Sequence, residues 1–287
     1  MGHAFSHRVD PLSGDAADGV LKMEPAKASW FFLMVAGSAL AFAGPWNPAP
    51  IAASAALAAI GLCCGHSVGL HRLLIHGAFQ APSWLERGLV WLAVLCGLGG
   101  PLSLLRHHEV RDWAQRMPKS HPWFGHAMPF FKDLWWQLVG HVSLKRAPKI
   151  EVEAWIQQDS FYRWLERYWM LQQLPLALLA YAFGGLEWLL WLVPVRVMVG
   201  LIMHQVVGHL AHNYGPCEPI PGNSVQGHNL PLVGLLSFGE GYHNNHHRHS
   251  RSARLGFGWQ VDAGWMFIRV LMALGLAEQV RLPGKGA

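Results

Sequence analysis

The chain has 287 residues, 52% of them hydrophobic and only 14% charged, with a formal net charge of +5. Soluble domains carry about 25% charged residues, so this balance excludes an ordinary soluble globule and points to lipid. The positive charge does not indicate nucleic acid, since no basic stripe is interleaved with exposed aromatics; anionic lipid or an acidic thioester suits it better.

In chain order, residues 1–29 are polar and mixed in charge, without the short apolar core and cleavage site of a signal peptide, and read as a cytoplasmic tail. From Trp30 the run WFFLMVAGSALAFAG is apolar, breaks at PWNPAP and resumes at Ile51 as IAASAALAAIGLCCGHSVGL, a helical hairpin with a tight outer turn. A second hairpin is expected from YWMLQQLPLALLAYAF at residues 168–183, a turn at GGLEW, and LLWLVPVRVMVGLIMHQVVGHLAH at residues 189–212. The apolar segment at residues 84–105 ends in Gly-Gly-Pro and is expected to lie at the interface rather than to cross. Residues 106–167 carry ten Lys and Arg and residues 241–287 carry six, whereas the turns at 45–50 and 184–187 have none. By the positive-inside rule the tail, the middle segment and the C-terminus are cytoplasmic. The fold class expected is therefore an all-α integral membrane protein of four transmembrane helices in two hairpins, with a cytosolic helical cap. Cys63, Cys64, Cys96 and Cys217 form no CxxC pair and imply neither a disulfide nor a cysteine metal site.

The 18 histidines gather where this topology places cytoplasmic helix ends. In GHSVGLHRLLIH, His66, His71 and His76 are five apart, and on an α-helix five steps turn about 140°, so neighbours should serve different sides of a site. His107, His108 and Asp112 follow in RHHEVRD, with His108 and Asp112 one turn apart; HQVVGHLAH adds His204, His209 and His212. In HNNHH, His243, His246 and His247 fall at i, i+3 and i+4, one helical face able to present three imidazoles to one small volume. Ionisable groups at membrane depth are functional by default. Imidazole suits iron, copper, zinc and nickel, and a mixed set of histidines and carboxylate with open positions is typical of non-haem iron that handles oxygen. For isolated histidines such as His121, His126 and His141, a capping or packing role is expected instead.

GLHRLLIH and FGEGYHNNHH, followed by RSARLGFGWQVDAGWMFIRVL, resemble the membrane acyl-CoA (delta-9 type) fatty acid desaturases of the bacterial branch, over roughly residues 30–283. The resemblance implies a four-helix membrane domain with a cytosolic cap, set in the bacterial inner membrane, which holds two iron ions and uses O2. The implied ligands are His71 and His76 from box one, His108 from box two, His212, and His243, His246 and His247 from box three. Box two in the family reads HxxHH, and here Arg111 and Asp112 stand where two histidines belong. Arginine has no lone pair to offer, whereas a carboxylate is a hard donor, so Asp112 is expected to ligate and Arg111 to pair with an acid or with the substrate's thioester end. The family's water-holding Asn is Gly208 here. His107 and His209 are the candidate substitute ligands, and Arg111, His228 and Asn229 the candidate supporting residues. The activity implied is desaturation of a fatty acyl chain, with a hydroxylase on the same scaffold or a metal-poor lipid binder as the rival readings. The two electrons per turnover would come from an external ferredoxin or cytochrome, since the chain has no fused haem domain and no flavin or nicotinamide fingerprint.

Overall fold

The computed structural model describes residues 8–284. Helix α1 (Pro25–Ala43) opens on a proline at its first turn and stops at Gly44. Asn47 then caps α2 through its side chain, which accepts a hydrogen bond from the Ala49 N–H at 3.1 Å, and Pro48 fills the first helical position. Together these residues make the tight turn between two apolar helices.

α2 begins as an α-helix at Pro48–Ile60 and continues through Gly61–Ile75 with i→i+5 hydrogen bonds. At ~1.5 Å per residue its 28 residues reach about 40 Å, more than a bilayer core of about 30 Å, so its last turns stand clear of the apolar layer. α3 (Ser83–Leu95) packs on this extension. A Cβ at Gly65 would lie 2.4 Å from the Ala93 nitrogen, and one at Gly69 would lie 2.6 Å from the Leu89 Cβ; the two glycines let the helices touch backbone to backbone. With 13 residues, about 20 Å, α3 is too short to cross.

α4 (Pro101–Arg116), α5 (Phe130–Val139), α6 (Ala154–Gln157) and α7 (Ser160–Arg167) follow outside the long apolar stretches. The core alternates around the end of α2. Leu70, Leu74 and Ile75 pack with Val90, Leu105 and Leu165, while Val68 and Leu73 pack with Phe79, Leu89, Ile268 and Leu271.

Residues Met170–Asn213 are helical almost throughout, from α8 (Leu174–Leu190) into α9 (Arg196–Asn213), but the backbone leaves helical geometry at Gly184 (φ −148°) and Gly185 (φ 67°). Ala180 before this break and Trp191, Leu192 and Val195 after it pack in one cluster with Ala41 of α1. α10 (Pro231–Leu236), α11 (His243–Arg248) and α12 (Ala263–Ala273) complete the chain. Among the described residues three helical stretches, Pro25–Ala43, Pro48–Ile75 and Met170–Asn213, are long and apolar enough to cross a membrane. Phe183, Leu178, Leu179 and Leu40 stand more than 60% exposed on them, a surface suited to lipid rather than to water.

One expectation needs correction. The fold is not all-α: β1 (Gly19–Met23) pairs antiparallel with β2 (Gly140–Leu144), from Gly19 opposite Leu144 to Met23 opposite Gly140. The described part of the leading segment packs on the body of the protein. Arg8 is buried, donates from Nη1 to the Ile75 carbonyl at 2.7 Å and to Glu109 at 2.8 Å, and from Nε to Glu153 at 2.7 Å, so it closes the last turn of α2. Residues 1–7 and 285–287, parts of the expected terminal segments, lie outside the described residues.

Candidate metal centre

Seven histidines converge in two groups above the long helices. His71, His76, His108 and His246 form one, and His212, His243 and His247 the other; within each, one ligand atom per residue lies within 4.8 Å of the rest. In the first group the ring centroids of His71 are 4.8 Å from His76, 5.0 Å from His108 and 4.6 Å from His246. In the second, His212 and His247 each lie 4.5 Å from His243.

Local geometry explains both groupings, and in both it differs from the expectation for an α-helix. The His76 N–H donates to the His71 carbonyl at 3.0 Å, an i→i+5 bond, so residues five apart stack over each other and the rings meet instead of diverging. His66, one repeat earlier, does not join them; its ring meets His204 at 4.9 Å. The three histidines of α11 do not share one volume either. The helix lies between the groups, with His246 on one side and His243 and His247 on the other, and the His243 and His246 rings 5.5 Å apart.

The supporting contacts come mostly from residues that the sequence reading passed over. Glu240 Oε2 lies 2.7 Å from His71 Nδ1, and its other oxygen accepts from Ser67 at 2.5 Å. His212 Nδ1 faces the Gln226 carbonyl at 2.9 Å, which leaves its Nε2 3.1 Å from His243 Nε2 and 3.1 Å from the Gln115 side-chain amide. Arg72 and Asp262 form a buried two-point ion pair at 2.9 and 3.2 Å that ties α2 to the start of α12. The only sequence signal for Glu240 was an acid three residues before His243, in the GEG lead of box three; Gln115 and Gln226 gave none.

Of the other candidates, Asp112 lies outside both groups. Its carboxylate binds Arg116 at 2.9 Å and comes no nearer than 3.7 Å to His108 Nδ1. Arg111 pairs with no acid among the described residues; it donates to His126 Nε2 and, at 2.7 Å, to Gln137, and lies over the Trp123 ring. The His107 ring lies 5.2 Å from Trp123. His228 faces the Gly215 carbonyl at 2.7 Å, and Asn229 exchanges hydrogen bonds with Asn245 of α11, which holds box three in place from behind. His209 belongs to a third group with His126 and Asp133, all buried: Asp133 Oδ2 lies 2.7 Å from His126 Nδ1 and 2.8 Å from His209 Nδ1. Gly208 makes room for this arrangement, since a Cβ there would lie 2.7 Å from His126 Nε2.

Electrostatics favour neutral imidazoles beside ionised carboxylates. Burial, aided by His71 and Arg111, lowers His108 to about 4, and burial with neighbouring imidazoles holds His76, His243 and His246 well below their ordinary value. Burial pushes Asp112 and Glu240 up, but nearby His108 and Arg116 for the first, and His71 and Arg72 for the second, hold both below the usual carboxylate range. Neutral rings keep the lone pairs that a metal ion needs. His76 Nε2, His108 Nδ1, His246 Nδ1 and His247 Nε2 are buried with no hydrogen-bond partner. Beside the groups opens a cavity of about 140 Å3, which His71, His108, His212 and His243 line together with Leu70 and Val207.

A model of the fatty acid desaturase family matches residues 44–254. The sn-1 stearoyl-lipid 9-desaturase of Synechocystis sp. is 32% identical over 78% of this chain and 69% of its own length. The Delta-9 acyl-lipid desaturase 1 of Arabidopsis thaliana is 31% identical over 77% and 72%, and the acyl-CoA C20 Delta5-desaturase of Anemone leveillei 29% over 77% and 70%. With its histidines folded into two facing groups and this match spanning most of its length, the chain belongs to the fatty acid desaturase family.

Proposed function

We propose that the protein is an integral-membrane fatty acyl desaturase in which His71, His76, His108 and His246 hold one iron ion and His212, His243 and His247 a second. The observation that carries this reading is the set of buried, unpartnered ring nitrogens of His76, His108, His246 and His247, of which His108 also lines the adjoining cavity. Buried polar atoms without partners cost free energy, and a bound cation satisfies them. When bound, an iron pair supplied with O2 and two electrons provides the oxidising power to remove two hydrogens from adjacent methylenes. The chain's own residues do the rest. Glu240 orients the His71 ring, as carboxylates behind metal-ligating histidines do, and the Gln226 carbonyl does the same for His212. Asp112, charged and close to both groups, offsets metal charge from outside, while Leu62, Leu70 and Val207 keep the cavity dry for the acyl chain.

The topology proposed is four crossings: α1, α2, and the two halves of Met170–Asn213, which fold back at Gly184–Gly185. Its 44 residues would reach about 66 Å as one helix, twice a bilayer core, and the shared packing of Ala180 with Trp191 supports the reversal. The histidine groups and both termini then lie on the cytoplasmic side of the bacterial inner membrane. There exposed Arg106, Arg116 and Lys119 offer a cationic docking face to an acidic ferredoxin or to a cytochrome. The substrate is a lipid-linked or CoA-linked acyl chain, as the relatives' names indicate for them. Expression in a host with saturated lipids tests the reading. The account expects unsaturated chains and about two iron atoms per purified chain; hydroxylated chains would favour a hydroxylase on the same scaffold, and iron near zero would favour a lipid binder.

A further inference from the structure

Two members of the first histidine group lack a side chain that holds their rings. Glu240 faces His71 at 2.7 Å, and Asn229 anchors Asn245 of the helix that carries His246. Among the described residues no side chain hydrogen-bonds His76 or His108, and the nearest oxygen of Asp112 stays 3.7 Å from His108. Yet the His76 and His108 rings lie 4.8 Å apart, close enough to share an ion. Their spacing is therefore left to the backbone on which each ring stands.

That backbone is tied from behind by one side chain. His76 follows directly on the i→i+5 stretch of α2, and the last carbonyls of a helix have no partner within it. Arg8 supplies one, donating from Nη1 to the Ile75 carbonyl at 2.7 Å and from Nη2 to the Leu74 carbonyl at 3.3 Å. Nη1 also donates to Glu109, the residue after His108 on α4, at 2.8 Å, and Nε donates to Glu153 at 2.7 Å. Arg8 is 3% exposed and its own backbone is fixed, since its carbonyl accepts from the Glu151 N–H at 2.8 Å and Val9 bridges to Ile150. A planar guanidinium with five donors keeps such acceptors at set angles, whereas an ammonium is a single point.

We propose that Arg8 is a positioning residue for the first metal group: by clamping the end of α2 to α4 it sets the spacing of His76 and His108, and so the affinity of that group for its ion. The inference rests on the reading of the two histidine groups as metal sites. Charge and geometry make opposite predictions about it. A guanidinium near a cation site repels the cation, so loss of Arg8 would tighten metal binding if charge alone counted, whereas loss of the clamp loosens it. General weakening of the fold would loosen both groups, but the clamp touches only the elements that carry the first.

The test is a titration of metal-free, full-length protein in detergent with cobalt(II) alone, followed by the visible absorption of the bound ion. His212→Ala with His247→Ala leaves only the first group intact, and His76→Ala with His108→Ala only the second. In the first background Arg8→Lys should weaken cobalt binding by at least about tenfold, and Arg8→Met by at least as much; in the second neither should change it. Arg8→Lys keeps the charge, so its effect reports geometry alone, and it carries the test by itself if Arg8→Met does not fold. First-group affinity unchanged or raised in Arg8→Lys, or equal weakening of both groups, would overturn the proposal. A wild type that takes up no cobalt would overturn the metal reading and this inference with it, whereas cobalt bound at both groups and indifferent to Arg8→Lys would overturn the inference alone.

Discussion

Two buried histidine clusters lie close together in this protein and differ in one respect that decides their chemistry. In the group of His71, His76, His108 and His246, ring nitrogens of three members have no partner. In the group of His126, Asp133 and His209, one carboxylate oxygen faces both rings, and Arg111 closes the remaining nitrogen of His126. Proximity of imidazoles is common to both. What separates them is hydrogen-bond accounting: in the first, ring nitrogens are left over, which the proposed function assigns to a cation, whereas in the second three of the four ring nitrogens face Asp133 or Arg111, and the cluster ties α4, α5 and α9 together.

The comparison breaks most readily at His246. His246→Ala removes a member of the unpartnered group and should take activity to background and iron from about two per chain to one or fewer, as metal analysis of the purified variant would show. Retention of both iron atoms with turnover would mean that the wrong group has been assigned. Asp133→Ala should do the reverse. It leaves His126, His209 and Gln137 without their shared acceptor, at a cost of about 3 kcal/mol or more in stability, yet iron per folded chain should hold. Thermal unfolding followed beside iron content separates the two effects.

A pH series on metal-free protein sharpens the same contrast. His108 and His126 are both held at about 4, by burial first and Arg111 second for His126, against an ordinary value of 6.5. Below 6.5 the unfolded chain takes up protons that the folded chain refuses, so stability is full above 6.5, falls as pH drops toward 4, and levels off below. Iron should flatten this slope in the wild type, since it holds His108 deprotonated, and should leave the part due to His126. A melting temperature indifferent to pH between 6.5 and 4 would contradict the burial of both rings. The smallest effect is expected at Asp112. Since its carboxylate faces Arg116 from outside both groups, Asp112→Ala should keep both iron atoms and lower turnover by less than about tenfold. Loss of iron there would show that the side chain turns inward to ligate when metal is bound.

The two outer boxes were legible because local pattern carries them: apolar runs mark the helices, and HNNHH places three imidazoles within one turn and a third. That residues 84–105 hold no spanning helix agrees with their Gly-Gly-Pro end, since α3 has only 13 residues. What sequence spacing could not give was the partition of those residues. On an α-helix His71 and His76 diverge; they meet because α2 changes to i→i+5 bonding, which no residue type signals. The split of α11 between two groups depends on where Asn229 and Asn245 anchor it, a contact across 16 residues. Asp133 was invisible for a stronger reason, since His209 lies 76 residues away and only packing joins them. The strand at Gly19–Met23 went unread because its partner is more than 100 residues distant.

Anomalous scattering at the iron absorption edge, from crystals of iron-loaded protein, tests the central claim most directly. The account predicts two peaks, one inside His71, His76, His108 and His246 and one inside His212, His243 and His247, with none between His126, Asp133 and His209. A peak in that third cluster, or the absence of one from the first, would contradict it.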